Sequence, residues 1–145
     1  MNLEFGLDAL LPPEMASKAE DVGVSKAHQD AFQTFSLAVL AGAFIALGAV
    51  FSTTAISGAT GLPPGIVKII SGATFSLGLI MVVVGGAELF TGNNLIIMAW
   101  ASRKVSTGQL LRNWILVYCG NFVGAVLTAL MIYMTEIYLL GGGTQ

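Results

Sequence analysis

Gly85-Gly86-Ala87-Glu88-Leu89-Phe90-Thr91-Gly92-Asn93-Asn94 is a glycine- and amide-rich patch with one carboxylate, set inside one of the most apolar regions of the chain. No charged residue lies between Ile69 and Ala87 or between Leu89 and Ser102, so Glu88 stands at bilayer depth if this region spans. A carboxyl there is unfavourable by roughly 2.5 to 3.5 kcal/mol on insertion scales. Irregular polar backbone at that depth persists only where protein covers it or where it lines a cavity. The patch reads as the wall of a pathway.

Composition sets the class around it. With 55% hydrophobic residues, 10% charged residues and a mean hydropathy of +0.83, the chain has the profile of an integral membrane protein. Its 18 glycines form no low-complexity run and fit close helix packing in lipid. A net charge of −2 without a Lys/Arg cluster argues against nucleic acid as a partner. The single cysteine, Cys119, permits no intramolecular disulfide and reads as a small packing residue. No His/Cys/carboxylate cluster or nucleophile motif suggests a metal, a cofactor or an enzyme. Glu4, Asp8, Glu14, Glu20 and Asp21 stand where a signal peptide would be basic, so the first span is expected to stay attached.

The predicted fold is all-α, with three spans and a short N-terminal helix in one transmembrane domain, residues 1–145. Residues 1–30 form a cytoplasmic segment containing a short helix, opened by Pro12-Pro13-Glu14 and stopped at Gly23. Met15, Ala19 and Val22 share one of its faces, which suits either an interfacial amphipathic helix or a solvated one. Residues 35–56 carry no charge and are long enough to cross about 30 Å of hydrocarbon. Ser57 to Gly65 is a turn cluster that restarts the helix at proline. Residues 64–101 as one straight helix would run to about 57 Å, nearly double the hydrocarbon core. An interruption near 85–94 is therefore expected, with half-helices from about Pro64 to Gly85 and Asn93 to Ala101 on either side. The last span occupies 107–139 and opens on Ser106-Thr107-Gly108-Gln109, which has capping-box spacing.

Lys18, Lys26, Arg103, Lys104 and Arg112 fall on one side of these spans and Lys68 alone on the other. The positive-inside rule places the N-terminus in the cytoplasm and Gly141 to Gln145 outside, in a multi-pass protein of the inner or plasma membrane. Trp100 and Trp114 near one face, with Tyr133 and Tyr138 near the other, fit interfacial aromatic belts as well as ordinary packing.

Gly86-Ala87-Glu88-Leu89-Phe90-Thr91-Gly92-Asn93-Asn94 resembles the signature of the formate/nitrite transporter family. Lys18 to Lys26, Ser71 to Leu79, Arg112-Asn113-Trp114 and Tyr118-Cys119-Gly120-Asn121 agree with it, so the resemblance covers essentially the whole chain. It extends over only the first, N-terminal half of the family, whose members have six spans built as two inverted repeats. Those proteins are homopentamers with an aquaporin-like fold and one substrate pore per subunit. The resemblance implies that Leu89, Phe90 and Thr91 form a mid-membrane loop, the two apolar side chains narrowing the pore and the hydroxyl facing a central His from the second repeat. Phe75 and Leu79 read as packing by periodicity and, through the resemblance, as further constriction residues. Glu88 is expected to cap backbone N–H groups of the broken helix, because a carboxylate repels an anionic substrate. Gly92, Asn93 and Asn94 are expected to structure the loop, the asparagines by satisfying carbonyls or capping the second half-helix. Gly120-Asn121-Phe122-Val123-Gly124 has GxxxG spacing for close helix approach.

One departure is plain. The only histidine, His28, precedes the first span and reads as a solvated surface residue, so no residue here supplies the family's central imidazole. Either the chain belongs to a longer protein, which is the preferred reading, or half-length copies pair in opposite orientations. The function implied for a complete protein is passive or proton-linked passage of a small monovalent anion, formate first and nitrite next; hydrosulfide, acetate and lactate are not separated by these motifs. Membrane lipid and, for a complete protein, four further copies of the subunit are the implied partners. A non-transporting assembly or accessory subunit is the alternative, and an aquaporin proper is disfavoured by the lack of paired Asn-Pro-Ala motifs.

Overall fold

The computed structural model describes residues 11–139; residues 1–10 and 140–145 fall outside it, and with them the C-terminal glycines expected beyond the membrane. Six helices follow in order: α1 Pro12–His28, α2 Ala31–Ile56, α3 Pro64–Val84, α4 Phe90–Asn93, α5 Ile96–Ala101 and α6 Thr107–Met134, with a 3-10 turn at Ile137–Leu139. Three of them, α2, α3 and α6, are long and apolar enough to cross a membrane. Their 26, 21 and 28 residues span about 39, 32 and 42 Å at 1.5 Å per residue.

Local signals explain the boundaries. Asp30 caps α2 by accepting from the Phe32 and Gln33 amides at 2.9 and 3.1 Å, so the first span begins at Ala31, ahead of the expected residue 35. Ser106 and Gln109 close the capping box of α6: the Ser106 amide donates to Gln109 Oε1 at 2.9 Å and the Gln109 amide to Ser106 Oγ at 3.3 Å. The helical part of the last span ends at Met134, short of residue 139, and the 3-10 turn follows. Gly23 does not stop α1, which continues through it to His28. The reason is packing: Gly23 is buried, and a β-carbon there would lie 3.1 Å from Ala99 Cβ and 3.3 Å from Ile96 Cα. The solvated alternative for α1 is set aside by the same contact. Ala27 of α1, Ile96 and Ala99 of α5, Val105 and Leu110 form the one continuous apolar cluster among the described residues.

The spans themselves meet through small residues. Along α6, Asn113, Val117, Gly120, Gly124 and Thr128 form a buried stripe with helical spacing. Gly120 and Gly124 press on the α2 backbone, and Gly42 of α2 presses in return on the Asn121 carbonyl. Gly48 and Gly78 do the same between α2 and α3, each within 3.0 Å of the other's Cα once a β-carbon is added. Lipid gives no hydrophobic incentive for helices to associate, so such close approach, through dispersion, holds the three spans together. Above the glycines, Ser52 Oγ lies 2.6 Å from Ser71 Oγ and donates to the Ser71 carbonyl at 3.0 Å. Cys119 is not one of these packing residues; it is exposed on α6.

A β-carbon at Gly124 would fall on the Val39 carbonyl oxygen, whereas one at Gly72 meets nothing within 4 Å. Gly124→Val is therefore expected to lower stability in detergent by at least about 1–3 kcal/mol, the usual penalty of overpacking. Gly72→Ala should be neutral or stabilising by up to about 1 kcal/mol, as alanine is the better helix former. Denaturant or thermal unfolding of both variants checks this. Equal losses would mean that α2 and α6 are not in the contact described.

Candidate functional site

The helix that would have run through residues 64–101 breaks at Gly85. Gly86 adopts a left-handed conformation with φ +60, where a β-carbon would be strained, and turns the chain out of α3. Ala87 still reaches back, its amide donating to the Val82 carbonyl at 3.0 Å, and the Glu88 amide then crosses to the Leu37 carbonyl of α2 at 3.2 Å. Leu89 is extended, and Phe90–Asn93 make a single helical turn before α5 begins at Ile96. The second half-helix expected from Asn93 to Ala101 is thus two pieces joined at Asn94 and Leu95.

Four side chains from outside the loop hold it. Lys26 of α1 donates to both carboxylate oxygens of Glu88 at 2.6 Å, and Glu88 is only 5% exposed. The carboxylate does not cap backbone N–H groups as expected from the sequence; a charge in this position needs a counter-charge more than it needs neutral donors. Asn121 of α6 is the second anchor. Its Oδ1 accepts from the Phe90 amide at 2.9 Å, and its Nδ2 donates to the Ala38 carbonyl at 2.8 Å and the Glu88 carbonyl at 2.9 Å. The third is Asn113, whose Nδ2 donates to the Lys26 carbonyl at 3.2 Å and whose Oδ1 accepts from Asn93 Nδ2 at 2.9 Å. Trp114 Nε1 adds a bond to the Asn93 carbonyl at 3.1 Å, so this tryptophan turns inward and its N–H is not left for an interfacial belt.

The Asn93 orientation follows from that chain of bonds. Asn113 must present its oxygen to Asn93, which leaves Asn93 Oδ1 buried without a donor among the described residues. Buried acceptors of this kind take a donor from water, a ligand or further protein. Asn94, by contrast, is exposed, and no side-chain cap opens α5.

The expected pathway residues divide. Leu79, Leu89 and Thr91 line one open cleft of about 310 Å3 together with Lys26, Gly92 and Asn93. Phe90 points elsewhere, its ring edge-on to Tyr118 at 5.6 Å and Trp114 at 6.3 Å. Phe75 lies one turn from Leu79 on the same face of α3, exposed and outside the cleft.

Lys26, Asn113 and Asn121 are site residues that the sequence motifs contain but do not single out as partners of the loop. Glu88 itself was the available signal, since a carboxylate at that depth requires a base and Lys26 is the last one before the first span. Asn113 and Asn121 are two turns apart in an apolar helix, a spacing that places both amides on one face. His28 is exposed, as expected, but not free: Nδ1 contacts the Val24 carbonyl at 2.8 Å and Nε2 the Gln109 amide nitrogen at 3.0 Å. A second ion pair fixes the far side of α1. Lys104 lies 2.7 Å from Glu20, and with the Ser102 hydroxyl it holds the Glu20 carboxyl below its usual value, while Glu20 raises Lys104. Among the described residues no group of side chains could hold a metal ion.

A bundle of three apolar helices, the middle one broken into a polar loop clamped by an ion pair, defines a helical membrane protein with an interrupted span. The profile of the formate/nitrite transporters matches residues 13–143. The chain is 45% identical over 143 residues to formate channel FocA of Escherichia coli strain K12, an alignment covering 99% of this chain and 50% of that protein. A solved pentameric formate channel with formate bound superposes with a TM-score of 0.73 at 42% identity, over 78% of this chain and 44% of the other. An FNT family ion channel gives a TM-score of 0.77 at 26% identity, over 88% and 52%. The chain belongs to the formate/nitrite transporter family, and it spans about half the length of the curated relatives it matches.

Removing the ammonium while leaving the carboxylate tests the clamp. Lys26→Met should destabilise the fold toward the lower end of about 3–5 kcal/mol, since Lys26 is partly solvated. The double variant Lys26→Met, Glu88→Gln should regain most of that loss. Unfolding free energies in detergent read the coupling, and simple additivity of the two substitutions would show that the pair is not a clamp.

Proposed function

We propose that this chain forms one half of a channel-like pathway for a small monovalent anion, formate foremost and nitrite second, in a homopentameric membrane assembly. The observation that carries the proposal is the two-sidedness of the broken helix. Its inner side is tied to α1, α2 and α6 by Lys26, Asn121 and Asn113, while its outer side presents Leu89, Thr91 and Gly92 to an open cleft. The relatives named as formate channels, and the pentamer solved with formate bound, support the substrate and the assembly. Relatives that are channels also support a role without catalysis.

Leu79 and Leu89 would supply the apolar constriction, with Phe75 further along α3. Phe90 would act indirectly, as the ring that seats the loop on Trp114 and Tyr118. An apolar constriction opposes a bare anion because dehydration is costly. Protonation to the neutral acid removes much of that penalty, so passage would be linked to protons. Thr91 would face the mid-membrane imidazole that the family resemblance assigns to an opposing half. Glu88, neutralised by Lys26, would not repel the substrate.

The excess of bases beside α1 and the α5–α6 connection supports a cytoplasmic N-terminus in the cell's inner or plasma membrane. Reporters fused ahead of Met1 and after Gln145 should lie on opposite sides, the first cytoplasmic. Finding both on one side would remove the three-crossing arrangement.

Uptake into proteoliposomes tests the transport reading. The chain joined to an opposing three-span segment bearing a mid-membrane histidine should take up formate saturably while excluding glycerol, and the chain alone should take up none. Uptake by the chain alone would favour pairs of opposite-facing copies. A joined assembly that inserts and folds but moves no anion would favour an accessory role.

A further inference from the structure

We infer that Lys68 is an anion-capture residue at the end of the pathway opposite Lys26, an inference that rests on the transport reading above. Lys68 sits in the second turn of α3, exposed, and among the described residues it has neither an ion pair nor a hydrogen bond. Lys26, the base that lines the cleft, is by contrast paired with Glu88. Lys68 is the only base on α3, and among the described residues no carboxylate pairs with it.

Its position on the helix gives that charge a direction. At 100° per residue, Lys68, Gly72, Phe75 and Leu79 fall within about 60° of arc, so they form one stripe down α3. The stripe ends at the cleft, whose wall includes Leu79. No described residue obstructs it: a β-carbon at Gly65 or Gly72 would meet nothing within 4 Å among the described residues. The packed face of α3, marked by Gly78 and Val82, lies to one side. Lys68 thus stands about 10 Å above Phe75 and about 16 Å above Leu79 along the helix rise.

A single positive charge there concentrates small anions before they meet the apolar stripe and depletes cations by the same factor. An ammonium is strongly hydrated and flexible, so it draws an anion in without holding it tightly, and release toward the constriction stays easy. The ligand class is a small monovalent oxyanion or halide in free solution. A lipid phosphate is the competing source of the same chemistry, and it would neutralise Lys68 permanently.

Thiol reactivity separates these sources without requiring transport. In membranes from expressing cells, a chain carrying Gly72→Cys, with Cys119→Ser to remove the background thiol, is treated from the α3 N-terminal side with an anionic and a cationic methanethiosulfonate of similar size. At about 6 Å the charge of Lys68 should favour the anionic reagent, and Lys68→Gln should lower the anionic-to-cationic rate ratio about three- to tenfold. Lys68→Arg should keep the ratio, and salt at about 1 M, where the screening length is only about 3 Å, should abolish the difference. A neutral methanethiosulfonate reacting at one rate in all variants shows that the fold is retained. An unchanged ratio in Lys68→Gln, as headgroup pairing would give, overturns the inference. If the unsubstituted complete assembly moves no formate, the transport reading fails, while the thiol ratio still decides whether Lys68 gathers anions.

Discussion

Backbone that leaves a helix inside a bilayer must find its hydrogen bonds elsewhere, and this constraint organises the chain. The break at Gly85 leaves loop amides and carbonyls that α3 no longer serves. The structure answers with donors and acceptors borrowed from two other helices: the Leu37 carbonyl of α2 and, from α6, the Asn121 amide and the Trp114 ring N–H, while Asn113 of α6 joins the Asn93 side chain to the Lys26 carbonyl of α1. The Lys26–Glu88 pair then neutralises the one carboxylate the loop carries. Each of these partners is useful only if its own helix is fixed, so the loop and the bundle specify one another.

That dependence explains the glycines. Asn121 can touch both the Ala38 carbonyl and the Glu88 carbonyl only if α6 lies hard against α2. Gly42, Gly120 and Gly124 permit that approach, and any side chain at these places would displace the amide by more than a hydrogen bond tolerates. The same logic holds for α1. Gly23 lets it lie on α5 closely enough for Lys26 to reach Glu88 while its carbonyl meets Asn113. A glycine that looked like punctuation is a contact surface.

How much of this was legible in the sequence depended on how local the physics was. The spans, the break and the capping box at Ser106 are set by runs of apolar residues and by neighbours within a few positions, and they could be read directly. The family signature around Glu88 was equally legible. The partners of the loop were not, because they arise from contacts 62 residues apart for Lys26 and Glu88, and 31 for Asn121 and Phe90. Gly23 was misread for the same reason: in isolation a glycine near a helix end means termination, and only tertiary packing reassigns it. Phe90 shows the limit from another side. Its neighbours Leu89 and Thr91 face the cleft, yet a one-turn helix from Phe90 rotates its ring onto Trp114 and Tyr118, a geometry that no periodicity encodes.

The distribution of satisfaction is itself directional. On the side of α1, α2 and α6 the loop is buried and bonded, and Asn93 is wholly enclosed. On the opposite side α3 ends in Val83 and Val84, exposed at 72% and 82%, and Thr91 carries no side-chain hydrogen bond among those described. Apolar exposure of that size suits lipid or further protein, but lipid offers nothing to a threonine hydroxyl. The polar groups therefore discriminate where the helices alone do not. A surface that is apolar along α3 and polar at the break is not served by a uniformly apolar covering, which would leave the Thr91 hydroxyl without a partner.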